Sequence, residues 1–225
     1  MTNKEKILEL LNRAVECIEW AGVERFSFGG GSALALLYSH RESRDVDVFL
    51  SDPQYLPGLS PRLNDRSESV CVDYVEASNF VRLVLQDGRK IDFIVAPNLT
   101  GYRPVLERGL LAGRVVPVEH PIEITAKKLF YRTEGLKYRD LIDLLVVVER
   151  FGAEAVSVWN ELMAGRKKLL EERITKLLVE RDPEKLCAEY GVRTELAEKM
   201  KHYHRHPEDL LAVLRTGRGR WPETG

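Results

Sequence analysis

The sequence predicts an α+β fold, a mixed β-sheet core with helices followed by an all-helical C-terminal part. Three observations lead there. Short runs of alternating polar and apolar residues, bounded by Gly, Pro, Asn and Asp, recur as far as residue 118. From Pro121 onward the apolar residues return at the three- and four-residue spacing of helices. The chain has 225 residues, 44% of them hydrophobic, enough for one large or two small domains with a buried core. The change of pattern sets the expected boundary: a core of residues 1–118, a helical domain of residues 119–225, and an active site in the cleft between them.

The elements follow in order. Residues 4–20 place Ile7, Leu8, Leu11, Ala14, Val15 and Ile18 on one helical face. Glu24–Phe28 is a short strand that ends in Gly29-Gly30-Gly31-Ser32, and Ala33–Tyr38 is a helix. Asp45–Leu50 alternates polar and apolar residues, a strand with one wet face. Residues 52–68, rich in Pro, Ser and Asn, form an irregular excursion. Strands return at 70–76, 80–86 and 90–95, the last two flanking Asp87-Gly88, a hairpin signal because both types tolerate positive φ. A strand at 114–118 precedes Pro121. Helices are then expected over 122–132, 136–150, 153–180, 183–190, 193–204 and 207–215, and a Gly-rich tail frays from Arg215 to Gly225.

Composition narrows the class. Thirty-four Lys and Arg nearly balance 35 Asp and Glu, for a net charge of −1, which excludes nucleic-acid binding by bulk charge but not a local basic cleft. The three cysteines, Cys17, Cys71 and Cys187, are far apart and form neither a disulfide framework nor a metal knuckle. No apolar run reaches the length of a membrane span. The N-terminal residues carry charges throughout an amphipathic helix, unlike a signal peptide. A cytoplasmic protein without membrane contact is expected.

The chemistry concentrates between Phe28 and Leu50. Gly30 and Gly31 let backbone N–H groups approach a phosphate, the next helix N-terminus adds a positive dipole, and Ser32 offers a hydroxyl or caps that helix. Asp45 and Asp47, two apart on a strand, project from one face and repel unless protonated, paired or bridged by a cation. Mg²⁺ carrying a nucleotide's phosphates is the natural occupant, since it takes few carboxylates and keeps its other positions for water and phosphate. Each feature alone is ordinary: a GGGS is usually a loop and alternating Asp a solvated face. Their order within about twenty residues is not, and Asp92, set among Ile91, Phe93 and Ile94, supplies a third carboxylate. In a two-ion phosphoryl transfer it would hold the second ion and take the proton of the attacking hydroxyl.

These residues resemble the nucleotidyltransferases of the DNA polymerase β superfamily, and more closely the AbiEii/AbiGii toxin family. The first motif reads Gly30-Gly31-Ser32-Ala33-Leu34-Ala35-Leu36, followed by His40-Arg41-Glu42-Ser43-Arg44-Asp45-Val46-Asp47-Val48-Phe49. A second block carries Lys90 and Asp92, a third runs Ile122–Leu129, and a fourth runs from Arg132 through Arg139-Asp140-Leu141-Ile142-Asp143-Leu144. Together they cover residues 28–145. Ser32 stands where the family usually has Thr, Glu123 where Asp is common, and Gly29 where a larger residue is frequent.

The resemblance implies a mixed-sheet nucleotidyltransferase core that transfers a nucleoside monophosphate from an NTP to an acceptor hydroxyl. Asp45 and Asp47, with Asp92, would coordinate Mg²⁺ in a two-ion site; Gly30, Gly31 and Ser32 would cradle the phosphates. It places a triphosphate-binding lysine at Lys128 and favours Asp140 as functional. The implied acceptor is an RNA, the tRNA 3′ end, and the implied partner a cognate antitoxin. Two alternatives stand beside it. One is a small-molecule enzyme of the aminoglycoside-modifying kind, with Asp140, Asp143 and Glu123 lining an acidic pocket. The other is a non-catalytic nucleotide-binding module, disfavoured because all three carboxylates are present.

Other features read as structural. Glu123 and Lys127 are an i, i+4 surface pair worth little. One of Asp140 and Asp143 orients Lys128 or Arg132, and the other pairs with Arg139. His202, His204 and His206 lack the spacing of a metal site. Arg166, Lys167 and Lys168 are a solvated face, or line an RNA groove with Lys199, Lys201, Arg205, Arg215, Arg218 and Arg220. Cys17 and Cys187 pack in the core.

Overall fold

The computed structural model describes residues 1–180 and 182–218. Arg220 and most of the Gly-rich tail lie outside the described residues. The chain divides into two compact units. One comprises residues 1–37, 43–98 and 102–120 and contains the sheet; the other comprises residues 38–42, 99–101 and those from Pro121 on, and is helical.

In the sheet unit, α1 (Asn3–Trp20) starts at a capping box, in which Thr2 Oγ1 accepts from the Glu5 amide at 3.2 Å and Thr2 N–H donates back to the Glu5 carboxylate at 2.7 Å. Its buried stripe is Ile7, Leu10, Leu11, Ala14, Val15, Cys17 and Ile18; Leu10, not Leu8, completes the apolar face. Strand β1 (Phe26–Gly29) runs directly into α2 (Gly30–Tyr38), so the glycines form the helix's first turn, not a loop ahead of it. Strand β2 (Val46–Leu50) is followed by a 3₁₀ turn at Pro53–Tyr55 and by short helices α3 (Leu56–Leu59) and α4 (Asp65–Val70), where an irregular excursion was expected. Strands β3 (Asp73–Ala77), β4 (Phe80–Val84) and β5 (Lys90–Val95) come next, then β6 (Val105–Leu111) and β7 (Arg114–Val118).

The seven strands form one mixed sheet in the order β3-β4-β5-β2-β1-β7-β6. The β2/β5 and β1/β7 pairs are parallel and the others antiparallel. Strand β6 was not anticipated. It carries Glu107, Arg108 and Gly109, lies mostly exposed at the sheet edge, and its pairing slips between Glu107 and Leu111, so no alternation survives in its sequence. One face of the central strands is apolar: Val46, Val48 and Leu50 of β2, Ile91 and Phe93 of β5, Val81 and Leu83 of β4 and Phe28 of β1 are all buried. The register aligns Val46 with Ile91 and Val48 with Phe93, which places their intervening aspartates together on the opposite face.

The helical unit contains α5 (Pro121–Arg132), α6 (Tyr138–Phe151), α7 (Ala153–Leu162), α8 (Lys167–Glu180), α9 (Pro183–Glu189), α10 (Thr194–Arg205) and α11 (Pro207–Thr216). The expected helix over 153–180 is thus two helices, broken after Met163 by a turn through Gly165 in which Arg166 N–H bonds the Met163 carbonyl at 2.8 Å. Helix α6 is deeply packed: ten of its 14 residues are buried, and two of those ten, Asp140 and Asp143, are charged and fully buried. Among the described residues no helix is long and apolar enough to cross a membrane.

Candidate active site

The sheet supplies one cluster. Gly29 of β1 lies across from Asp47 of β2, Asp47 across from Asp92 of β5, and Asp92 across from Arg82 of β4, so the four positions form one row over four strands. Neighbouring strands are about 4.8 Å apart, which puts the Asp47 and Asp92 carboxylates side by side on the face opposite the apolar one. Asp45 sits one residue ahead of β2, and its Oδ1 accepts the Lys90 amide at 3.1 Å. Lys90, two residues from Asp92 on the same strand, shares that face.

Gly30 has φ +66°, and a Cβ built there would lie 2.6 Å from Asp47 Cγ. Only glycine both adopts this backbone and leaves room for the Asp47 carboxylate. Gly29 is equally constrained: a Cβ there would collide with the Phe49 ring, 2.7 Å away, and with the buried Glu119. This accounts for glycine at a position where a larger residue is common. Ser32 is fully buried; its Oγ bonds Ser43 Oγ at 2.8 Å and the Asp45 carbonyl oxygen. In this arrangement the hydroxyl ties the start of α2 to the approach of β2, so it positions Asp45.

Arg82 is the residue that the sequence reading missed. Its Nε and Nη2 donate to Asp92 Oδ1 and Oδ2 at 2.6 and 2.8 Å, a bidentate pair, and the guanidinium lies 5.6 Å from the centre of the Phe80 ring. Its pKa is raised, first by the hydrogen bonds to Asp92 and further by the charges of Asp92, Asp45 and Asp47, against a counteracting desolvation. The signal lay in the hairpin. Gly88 takes the left-handed conformation at φ +78° but Asp87 does not, and Leu85 N–H bonds the Arg89 carbonyl at 2.9 Å around a three-residue loop. That loop pairs Arg82 with Asp92; a two-residue turn on Asp87-Gly88 would have shifted the register by one and turned Arg82 to the other face.

The helical unit holds a second cluster, almost closed to solvent. Lys128 Nζ of α5 lies 2.8 Å from Asp140 Oδ1 and 2.9 Å from Asp143 Oδ2, bridging the two aspartates of α6. Arg41 clamps Asp143 through Nε and Nη2 at 2.7 and 2.9 Å, and His40 Nε2 lies 2.7 Å from Asp143 Oδ1. Asp140 also meets Arg132 at 3.3 Å and accepts the Lys137 amide at the start of α6 at 3.0 Å. Burial pushes both carboxyls upward. For Asp143 the charges of Lys128 and Arg41, with hydrogen bonds from His40 and Arg41, reverse this and hold it well below the ordinary range. For Asp140, the charges of Lys128 and Arg132 outweigh burial and lower the pKa. Arg139, expected to pair with one of the two aspartates, gives way to Lys128 and Arg132 at Asp140 and to Lys128, Arg41 and His40 at Asp143; His40 and Arg41 belong to the motif preceding Asp45 but had been given no role.

Glu123 corrects a further expectation. Its pair with Lys127, 3.5 Å, is buried, not a surface contact. The Glu123 carboxylate accepts the Leu99 and Thr100 amides at 3.0 Å each and the Thr100 hydroxyl at 2.6 Å, so it fastens the 99–101 loop to α5. With Glu123, Asp140 and Asp143 all committed to buried partners, the acidic pocket that a cationic small molecule would need is not formed by these residues.

Three of the basic residues considered for an RNA groove have acidic partners. Lys199 meets Glu149 and Glu195, Lys201 meets Glu184 and Glu198, and Arg215 forms a bidentate pair with Glu171. Arg166 lies over the Phe130 ring and donates to its carbonyl. His202 pairs with Asp209 and His204 with the Tyr138 hydroxyl, not with a shared ion.

The carboxylates of Asp45 and Asp47 are hard oxygen donors of the type Mg²⁺ takes. Asp92, expected to hold a second ion, has both oxygens on Arg82. Among the described residues no group of three or more His, Cys, Asp or Glu is gathered closely enough to hold an ion alone. An ion held by Asp45 and Asp47 would take its other ligands from phosphate and water.

A family model described as nucleotidyl transferase AbiEii toxin, type IV toxin–antitoxin system, matches residues 21–215. The chain belongs to this family. It is a nucleotidyltransferase, and the matched span takes in the glycine turn, all three sheet aspartates and the Lys128 cluster. Among solved structures it is similar to the nucleotidyltransferase toxin MenT4 from Mycobacterium tuberculosis H37Rv, with 15% identity, TM-score 0.49, and coverage of 95% of this chain and 94% of that one. It is also similar to the CD-NTase CdnG of Bradyrhizobium diazoefficiens in complex with GTP, with 14% identity, TM-score 0.33, and coverage of 92% and 84%. These likenesses are loose, and the family assignment rests on the family-model match. A search of curated proteins found no match.

Proposed function

We propose that the enzyme transfers a nucleoside monophosphate from an NTP to the 3′ hydroxyl of an RNA, a tRNA in the first instance, with Mg²⁺ held by Asp45 and Asp47. The observation that carries this reading is the row in which Asp47 and Asp92 lie side by side while Gly30, lacking a side chain, leaves the Asp47 carboxylate its place. The backbone of Gly30 and Gly31 at the start of α2 would meet the phosphates, with Ser32 fixing that turn against Asp45.

The acceptor oxygen attacks the α-phosphorus as the bond to the bridging oxygen breaks and pyrophosphate leaves. Asp92 accepts the hydroxyl proton: Arg82 uses one acceptor position on each of its oxygens, which leaves others for the substrate. When bound, Mg²⁺ would supply Lewis-acid stabilisation of the charge on the phosphoryl oxygens. Lys128 is assigned to the triphosphate, with Asp140 as its positioning partner. Arg41, Lys128 and Arg132 converge on Asp140 and Asp143, which fixes the position of the Lys128 ammonium. RNA is favoured over a cationic small molecule because Glu123, Asp140 and Asp143 have no free carboxylate face to offer one. The reading includes a cognate antitoxin as regulator and a cytoplasmic setting, where NTPs and tRNA are found.

The test is incubation of the purified protein with each α-³²P-labelled NTP, Mg²⁺ and total tRNA, resolved on a denaturing gel. Label on RNA that falls on the order of a thousandfold or more in Asp45→Asn is expected, the scale of losing one preorganised electrostatic group. Undiminished labelling by Asp45→Asn would remove the assignment of that residue; labelling of a small molecule but not RNA would remove the RNA acceptor.

A further inference from the structure

We infer that Arg82 stands in for a second divalent ion, holding Asp92 in place so that the site works with a single ion. The inference rests on the proposed function and goes further, because it assigns a role to a residue outside the glycine and aspartate motifs and changes the ion count.

The geometry makes the case. A second ion at a site of this kind needs an oxygen of the third carboxylate, and both Asp92 oxygens receive short, parallel N–H bonds from one guanidinium. Asp92 is buried and Arg82 only partly exposed, so the pair is less screened than a surface pair. An arginine stays charged at every physiological pH, so the position is permanently filled by positive charge. The strand register fixes its origin: Arg82 is the cross-strand partner of Asp92, not a long side chain reaching in from elsewhere. Phe80, two residues earlier on the same strand, lies under the guanidinium and limits its alternatives. A second ion on the remaining lone pairs of Asp92 would have to sit against a guanidinium whose charge cannot be removed, and like charges so close repel.

As a positioning residue Arg82 would do two things. It would aim the remaining acceptor positions of Asp92 at the incoming hydroxyl, and it would reduce the repulsion between Asp92 and Asp47 that a second ion would otherwise relieve. Lysine cannot replace it, since an ammonium on a flexible stem has no fork to match the carboxylate.

The experiment counts ions. Mn²⁺ is titrated into the full chain mixed one to one with a non-hydrolysable NTP analogue, and free Mn²⁺ is read by electron paramagnetic resonance. The wild type is expected to retain one Mn²⁺ per chain, and Arg82→Ala two, because Asp92 is released; Arg82→Gln, which keeps the stem over Phe80, should behave as Arg82→Ala does. Thermal melting of each variant verifies that the count is taken on folded protein. Two Mn²⁺ in the wild type, or one in both Arg82 variants, overturns the inference. Asp45→Asn separates the two levels of the account. If it binds Mn²⁺ as the wild type does, the proposed ion site itself is wrong; if it loses the ion while the wild type holds two, that site stands and only the role of Arg82 fails.

Discussion

On the sheet, Asp45, Asp47 and Asp92 share a half-open face with Arg82 and Lys90, whereas on α6 Asp140 and Asp143 lie at zero exposure, each held by two or more cationic groups. The sequence presents the two pairs in nearly the same way, as aspartates two or three apart among apolar residues. What differs is compensation. A carboxylate closed off from water must be fully paired, because an uncompensated buried charge is far more costly than the pairing is favourable. On the sheet three carboxylates crowd together across neighbouring strands, and their mutual repulsion favours a cation that brings phosphates with it. The α6 cluster therefore carries a load of stability that the sheet row does not, beside the triphosphate role proposed for Lys128.

The largest effect on stability is expected at Asp143. Asp143→Ala would remove the carboxylate that Arg41, His40 and Lys128 share and should cost about 3–5 kcal/mol, the range for breaking a buried ion pair from one side. For a chain of this size that corresponds to a fall in Tm of very roughly 10 °C, readable by calorimetry. A Tm within a degree or two of wild type would equate this cluster with an ordinary surface network and dissolve the contrast.

The same cluster sets an acid limit. Both aspartates have folded-state pKa values below the ordinary 3.8, so the unfolded chain takes up protons first as pH falls. Their contribution is complete well above pH 3.8 and is lost as pH drops through that value toward the lower folded pKa values. Melting curves between pH 6 and pH 3 should therefore fall more steeply for wild type than for Asp143→Asn; parallel curves would argue against the depressed values.

Gly30→Ala sharpens the comparison from the sheet side. A left-handed backbone costs an alanine about 1–2 kcal/mol, and its methyl group would also push the Asp47 carboxylate aside. A modest loss of stability with a much larger loss of transfer is expected, and the reverse ratio would show that Gly30 serves only the turn. The smallest effect belongs to the exposed pair Lys168–Glu172, 3.8 Å apart on α8: Glu172→Ala should move stability by no more than about 0.5 kcal/mol.

How much of this could be read from the residues depends on whether the information was local. The glycine turn, the Asp-x-Asp strand and the helix and strand types came from short-range patterns, and the sheet core follows from them. Arg82 needed the hairpin register, which hung on whether Asp87 or only Gly88 turned left-handed. His40 and Arg41 needed tertiary packing, since their partner is a hundred residues away in the chain. Glu123 misled because an i, i+4 pair looks the same in sequence whether it lies at the surface or is sealed by a loop such as 99–101. Strand β6 hid because an edge strand with a slipped register has no buried face to impose alternation.

The most direct test of the account takes Asp47→Asn and Asp143→Asn side by side, measuring Tm and the rate of nucleotide transfer in the same preparations. The account predicts that Asp47→Asn loses transfer on the order of a thousandfold while its Tm stays level or rises, as like-charge repulsion is relieved, and that Asp143→Asn loses several degrees of Tm. An Asp47→Asn protein that still transfers nucleotide at the wild-type rate, or that melts as early as Asp143→Asn, would contradict it.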